Sequence, residues 1–200
     1  TAGWTDEWNR GLNDGSIASL LTGGWMPYNL LSGAPDGDGK WRIAQMPTLD
    51  GSETNSENGG SSLAVIKTDD EAKAEAAYKF AEYACHNADG VGVRVEGGAF
   101  PADNETLASE DFLNMTSLTD SEGNAHEYFG GQKFNEVLAK AAANVSTGYK
   151  FLPFEVNARN VYADHAGGAF TDKSITLEEG IASWETALKE YAEQQGYTVE

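Results

Sequence analysis

A single cysteine, Cys85, stands among 200 residues, so the chain can form no internal disulfide. The cysteine count therefore says little about compartment. Cys85 lies in an apolar helical run, which predicts a buried and inert thiol. Basic residues are scarce: 13 Lys and Arg against 32 Asp and Glu give a formal charge of −19. Phosphate backbones and anionic membrane surfaces would repel such a chain, which excludes them as its main partners. No apolar run approaches the roughly 18 residues of a membrane-spanning helix. A Gly-rich phosphate loop and a Gly-x-Ser-x-Gly nucleophile elbow are both missing. His86, His126 and His165 are scattered, none at a familiar ligand spacing, so no metal site and no cofactor is expected. Asp36-Gly-Asp-Gly39 has the composition of a calcium loop without the rest of its pattern, and reads as a solvated turn. The chain opens at Thr1 with neither a Met nor a signal peptide, which reads as a fragment whose N-terminal part is missing.

What is present is a core-forming apolar fraction of 40%. Thr5 is placed to cap a helix with Trp8 and Leu12 on one face, one turn after Trp4, and Gly15 to stop it. Segments 16–22, 41–46 and 61–67 read as strands, and 29–39 and 50–60 as loops. Thr68-Asp-Asp-Glu71 has a capping-box pattern before a helix with Ala72, Ala76, Phe80 and Ala84 on one face. Gly97–Pro101 is a tight loop, followed by a weaker helix near 107–115. The cleanest amphipathic helix spans 132–145, with Phe134, Val137, Leu138, Ala141, Ala142 and Val145 on one face. Another helical stretch runs from Phe151-Leu-Pro-Phe154 to about Ala166. Thr176-Leu-Glu-Glu179 is a second capping box, opening a helix striped by Leu177, Ile181, Trp184, Leu188 and Tyr191 up to Gly196. Three strands are too few for so many helices in a complete α/β domain, so partner strands are expected outside the chain.

Glycosidase chemistry needs two carboxylates across a scissile bond, and the pattern offers no acidic residue at an apolar strand end where a raised pKa would suit acid catalysis. Aromatic residues beside glycine or proline are more distinctive: Trp25 after Gly23-Gly24, Phe100 after Gly97-Gly98, and Tyr28 and Phe154 next to prolines. Most aromatics fill cores. A rigid ring that backbone glycines leave approachable can also cover the C–H face of a pyranose. Asn58, Gly60, Ser61 and Ser62 could then meet its hydroxyls.

Asp14-Gly-Ser-Ile-Ala-Ser-Leu-Leu-Thr-Gly-Gly-Trp25-Met-Pro, Lys40-Trp-Arg-Ile-Ala-Gln-Met-Pro47, Asn58-Gly-Gly-Ser-Ser-Leu-Ala-Val-Ile-Lys67, Ala76–Glu82, Gly97-Gly-Ala-Phe-Pro101 and Trp184–Val199 occur in that order. The set resembles the C-terminal portion of family 1 extracellular solute-binding proteins, the maltose-binding-protein-like sugar receptors of ABC importers. The resemblance implies a two-lobed α/β protein of the periplasmic-binding-protein-like II fold. It implies that 1–58 and 106–200 belong to the C-terminal lobe and that 59–105 returns to the N-terminal lobe. By position it implies that Trp25 stacks on sugar, that Asn58, Gly60 and Ser61 lie at the crossover between lobes, and that Phe100 faces them from the other lobe. Tyr28, Phe154 and Glu155 join the ligand-binding set, the last two with a local spacing that differs from the family's. The implied function is binding of a sugar or oligosaccharide outside the cell and its delivery to permease subunits by hinge closure, without catalysis. The implied location is the cell surface of a Gram-positive bacterium, through a lipid anchor outside this chain. The alternative is a fragment of a carbohydrate-active enzyme, a glycoside hydrolase.

Overall fold

Thr5 begins the first helix as the sequence predicts. In the computed structural model, which describes residues 3–199, its hydroxyl accepts a hydrogen bond from the Trp8 N–H at 3.2 Å. Helix α1 (Asp6–Asp14) ends at Gly15, whose φ of 82° suits a residue without a Cβ. The chain forms two compact units, Thr1–Ser146 and Thr147–Glu200, each described by itself.

In the first unit, α2 (Met26–Gly33) occupies the start of the stretch read as a loop. Pro27 sits in its first turn, where a missing N–H costs nothing, and burial of Met26, Leu30 and Leu31 fixes the helix. Gly33 and Pro35 end it, and a 3₁₀ turn (Pro35–Gly37) follows. The Glu71–His86 helix, α3, is capped by Asp70, which accepts from the Lys73 N–H at 3.1 Å. The capping box read at Thr68–Glu71 is thus displaced by two residues. Thr68 instead accepts from the Asp70 N–H, and the ionised Asp is an effective acceptor for the free amides. No residue of α3 is buried, so Cys85 is exposed rather than enclosed, and Phe80 is exposed too. Helix α4 (Ala88–Glu96) carries Gly90 and Gly92, poor helix formers that hide it in the sequence. Asn87 caps it through the Asp89 N–H. The weaker helix resolves into α5 (Asn104–Ala108) and α6 (Glu110–Leu113), and α7 (Phe134–Ala143) matches the strongest periodic segment.

Among the described residues the one ladder is an antiparallel pair, β1 (Leu118–Thr119) with β2 (Ala125–His126). Asn55 and Val145 add an isolated parallel bridge. Segments 16–22, 41–46 and 61–67 are not strands here. A strand is completed by a neighbour that takes its backbone hydrogen bonds, and none lies beside them among the described residues. Burial along 41–46 still alternates residue by residue, as the pattern predicts. Gln132 stands in for a neighbour there. Its side-chain oxygen accepts from the Ile43 N–H at 2.9 Å, and its amide donates to the Ile43 carbonyl at 2.7 Å.

The main core of this unit gathers Leu12, Met26, Leu30, Tyr128, Phe129 and Phe134, with Trp25 and Trp41 packed on its edge. Tyr128 is fully enclosed and donates its hydroxyl to the Ala34 carbonyl at 2.6 Å, which ties the 3₁₀ turn to the core. Burial pushes that phenol well above its ordinary pKa, so it remains a donor. A smaller cluster joins Val91 and Val95 of α4 to Phe112 of α6, with Phe100 against it.

The second unit contains α8 (Glu155–Ala166), α9 (Gly168–Thr171) and α10 (Leu177–Gln194). Thr176 and Glu179 form the capping box the sequence predicts, with reciprocal bonds of 3.2 and 2.8 Å. Trp184, Leu188 and Tyr191 of the expected α10 stripe are half-buried, and the stripe departs from expectation only in the first turns. Leu177 and Ile181 are exposed, while Gly180 and Ala192 are buried. Gly180 makes the close approach in those turns, because a Cβ there would lie 2.8 Å from the Ala166 Cα. The bare backbone lets α8 and α10 meet, and the Trp184 indole then donates to the Ala158 carbonyl at 2.8 Å.

Replacing Gln132 with Ala should destabilise the protein by about 1–3 kcal/mol, the cost of two part-buried backbone groups losing their partner. Urea denaturation measures this, and an unchanged midpoint would mean that the Gln132–Ile43 pair holds nothing. Gly180→Ala should also destabilise, by about 1–3 kcal/mol, because overpacking outweighs the gain in helix propensity. A raised melting temperature would refute the close approach.

Candidate functional site

Two adjacent glycines allow three chain segments to converge at Trp25. The Trp25 ring is half-buried at the start of α2, and its indole N–H donates to the Asn58 carbonyl at 2.7 Å. A Cβ on Gly23 would stand 2.9 Å from that carbonyl and collide with the indole. A Cβ on Gly24 would stand 3.4 Å from the Phe100 ring, an ordinary contact that places this backbone beside the Phe100 loop. Gly59 and Gly60 carry the chain past the indole with φ of 80° and 128°, values that side chains rarely allow. The Gly-Gly pairs therefore let the indole, the 58–61 turn and the Phe100 loop pack against one another.

These segments border a groove of about 1800 Å³ within the first unit. Trp25, Asn58, Gly60, Ser61 and Phe100 all line it. Gln45, Asn55 and Asn104 add carboxamides, and Glu57 and Arg94 supply charge. Part of this polar lining is already committed. Gln45 donates to the Val137 carbonyl at 2.6 Å, and Arg94 donates to the Ala84 carbonyl at 2.9 Å. The main chain at 58–61 and the Ser61 side chain are exposed. Such a surface combines an aromatic plane, small residues and neutral hydrogen-bonding groups, which suits a polar ligand with an apolar face.

The other expected site residues lie elsewhere. Tyr28, on α2, does not line the groove; its backbone packs against Gly98, where a Cβ would come within 3.2 Å. Phe154 and Glu155 are in the second unit. Phe154 packs near Tyr191 and Tyr197, at 5.7 and 5.8 Å between ring centroids. It lines a pocket of about 370 Å³ with Asn157, Asn160 and Gln195. Glu155 accepts from the Arg159 Nε–H at 3.0 Å, and that bond holds its carboxyl below the usual range.

Sequence reasoning placed Trp4 on the face of α1 and did not include it in the site. The structure sets its ring 5.8 Å from Trp25 and 5.0 Å from Trp8, with Trp4 itself 62% exposed. The available signal was the clustering of Trp4, Trp8 and Trp25 within the first 25 residues. Every carboxyl with a clear shift, Glu155 and Asp120 included, lies below its ordinary value, mainly through hydrogen bonds to the ionised form. A general acid needs the opposite shift.

No protein-family model matches the chain, and no curated protein matches it. Among solved structures, the chain is similar to the ABC transporter associated binding protein from B. animalis subsp. lactis Bl-04, solved in complex with β-1,6-galactobiose. The two are 54% identical, with a TM-score of 0.89 over 99% of this chain. This chain spans 47% of that protein's chain, about half its length. The resemblance read from the ordered sequence blocks is borne out, and the fold is that of the matched part of a solute-binding protein.

Removing the indole donor while keeping a ring, as in Trp25→Phe, should release the 58–61 turn. Amide exchange at Gly59 and Gly60 should then quicken while the helix α7 amides keep their protection. Unchanged exchange at the turn would show that the Trp25–Asn58 bond does not hold it.

Proposed function

We infer that the chain is a portion of a solute-binding protein of an ABC importer, and that the protein binds a sugar or short oligosaccharide and delivers it to the permease subunits. The observation that carries this reading is the 54% identity, over 99% of the chain, to a binding protein solved in complex with a disaccharide. The groove gives it a physical basis. Trp25 offers a plane for a pyranose face, and the exposed 58–61 main chain and Ser61 offer partners for its hydroxyls. The proposal draws on these residues with Asn58, Gly60 and Phe100, and does not depend on Tyr28, Phe154 or Glu155.

In the whole protein, two lobes close on the ligand about a hinge, and the closed form is the one a permease recognises. Residues 1–58 and 106–200 are assigned to the C-terminal lobe and 59–105 to the N-terminal lobe. This assignment concerns the longer protein and differs in kind from the division at Ser146, which reflects compactness within this chain. The protein acts outside the cell, tethered through a lipid anchor. It performs no catalysis, a reading supported by its similarity to a binding protein. A glycoside hydrolase would instead need a raised carboxyl facing a nucleophile or base across the groove.

Calorimetry on the intact protein with a panel of neutral disaccharides, β-1,6-galactobiose among them, tests the proposal. We expect saturable binding without turnover. Trp25→Ala should weaken that binding by about 1–3 kcal/mol, the range for a buried aromatic anchor, with the fold preserved. The 200-residue chain alone should bind at least roughly a hundredfold more weakly than the intact protein, because stacking on one open face hardly offsets the cost of immobilising a sugar. Product release from any of the sugars would overturn the transport reading, and equal affinities would overturn closure by two lobes.

A further inference from the structure

His126 is the last residue of the β1–β2 hairpin, and both of its ring nitrogens face carboxylates. Nδ1 lies 3.1 Å from an Asp38 oxygen, just after the 3₁₀ turn. Nε2 lies 3.0 Å from an Asp120 oxygen, in the bend of the hairpin. An ionised carboxylate only accepts hydrogen bonds, whereas a neutral imidazole has one N–H and one lone pair. Both contacts can be hydrogen bonds together only when the ring is the imidazolium. In either neutral tautomer one ring lone pair would point at a carboxylate lone pair.

We propose that His126 is a proton-operated clasp, which when charged locks the outer part of the β1–β2 hairpin onto the turn following α2 and when neutral lets go of one side. Just past His126 the two sides are also joined by main chain, where the Gly39 N–H donates to the Tyr128 carbonyl at 3.0 Å, so the clasp governs only the outer part of the hairpin. Asp120 is fixed within its own hairpin, where its carboxylate accepts from the Glu122 and Asn124 amides at 2.9 and 2.8 Å. Asp38 follows the 3₁₀ turn that Tyr128 anchors through the Ala34 carbonyl. Deprotonation therefore weakens the His126–Asp38 contact in preference to the His126–Asp120 contact. The inner end of the hairpin stays in place because Leu118 is fully enclosed in the main core.

The charged groups bearing on His126 are Asp120, from its own hairpin, and Asp38, from the turn; both favour the charged ring, with Asp120 the stronger. The Tyr128 phenol, held neutral by burial and by Asp38, adds no charge. With the His126 pKa raised in the folded state, the clasp's contribution is complete below the ordinary histidine value and is lost as pH rises through the raised one. Asp120 behaves in the opposite sense. Its lowered pKa keeps its contribution from neutral pH down into strongly acid solution.

The test is NMR on the intact protein with labelled histidine, independent of any sugar. At about pH 6, near the free histidine value, both His126 ring nitrogens should carry protons. The midpoint should lie above that of the same residue in the urea-unfolded protein, and Asp38→Asn should lower it. Amide exchange at Asp120, Gly123 and Asn124, corrected for the intrinsic effect of pH, should accelerate as His126 loses its proton. The α7 amides should not follow. A neutral tautomer at about pH 6, or hairpin protection indifferent to the titration, would overturn the clasp. These wild-type measurements decide the matter even if Asp38→Asn fails to fold. Failure here leaves the sugar-binding reading untouched, and loss of sugar binding leaves the clasp untouched.

Discussion

Side chains of the first unit carry backbone hydrogen bonds that a sheet would otherwise supply. Gln132 meets both main-chain groups of Ile43, and Gln45 reaches the Val137 carbonyl. Trp25 reaches the Asn58 carbonyl and Tyr128 the Ala34 carbonyl. Each bond spans 33 residues or more along the chain. Among the described residues the only ladder is two residues long on each strand, so the geometry of the irregular segments depends heavily on these bonds. The groove inherits that dependence, since 41–46 and 55–61 both contribute to its wall.

This constraint explains what the sequence could and could not reveal. Local signals were legible wherever the determining partner is near in sequence. The Thr5 cap, the stop at Gly15, the Thr176–Glu179 box and the apolar face of α7 all depend on contacts within a few residues or on one helix face. The strand expectations at 16–22, 41–46 and 61–67 concern pairing with distant segments, which periodicity alone cannot supply. Alternating burial at 41–46 shows that the pattern was read correctly even though no ladder forms. The missed helices have local disguises: Pro27, Gly33 and Pro35 around α2, and Gly90 and Gly92 inside α4. The exposed start of the α10 stripe has a different origin. Counting apolar residues favours Leu177 and Ile181, yet in those turns α10 approaches Ala166 of α8 where Gly180 presents no side chain at all.

The candidate site was legible in its chemistry and only partly in its composition. Aromatic residues next to glycine pairs identified Trp25 and Phe100, and the turn at 58–61 followed from the same reasoning. The structure supplies the cause at Trp25: a side chain at Gly23 would force the indole away from the Asn58 carbonyl, while Gly24 lies in ordinary contact with the Phe100 ring. Proline neighbours were poorer guides. At Tyr28 the adjacent proline starts a helix, and at Phe154 it precedes one, so each marks a helix start rather than a ring presented to a groove.

Charge enters this picture indirectly. A formal charge of −19 sets how the molecule meets solvent and polyanions. The lining at the convergence point is different in kind: an indole, a phenyl ring, Asn58, Ser61 and bare glycine backbone. A surface of that kind offers shape, stacking and neutral hydrogen bonds, which salt screens little. The acidic surface and the groove can therefore vary independently. Carboxylates tied into caps, such as Asp70 and Glu179, serve the helices that bear them. For a neutral ligand this separation matters. Neutral dipoles at Asn58, Ser61 and the glycine backbone would meet its polar groups, while Glu57 and Arg94 place charge elsewhere along the same groove.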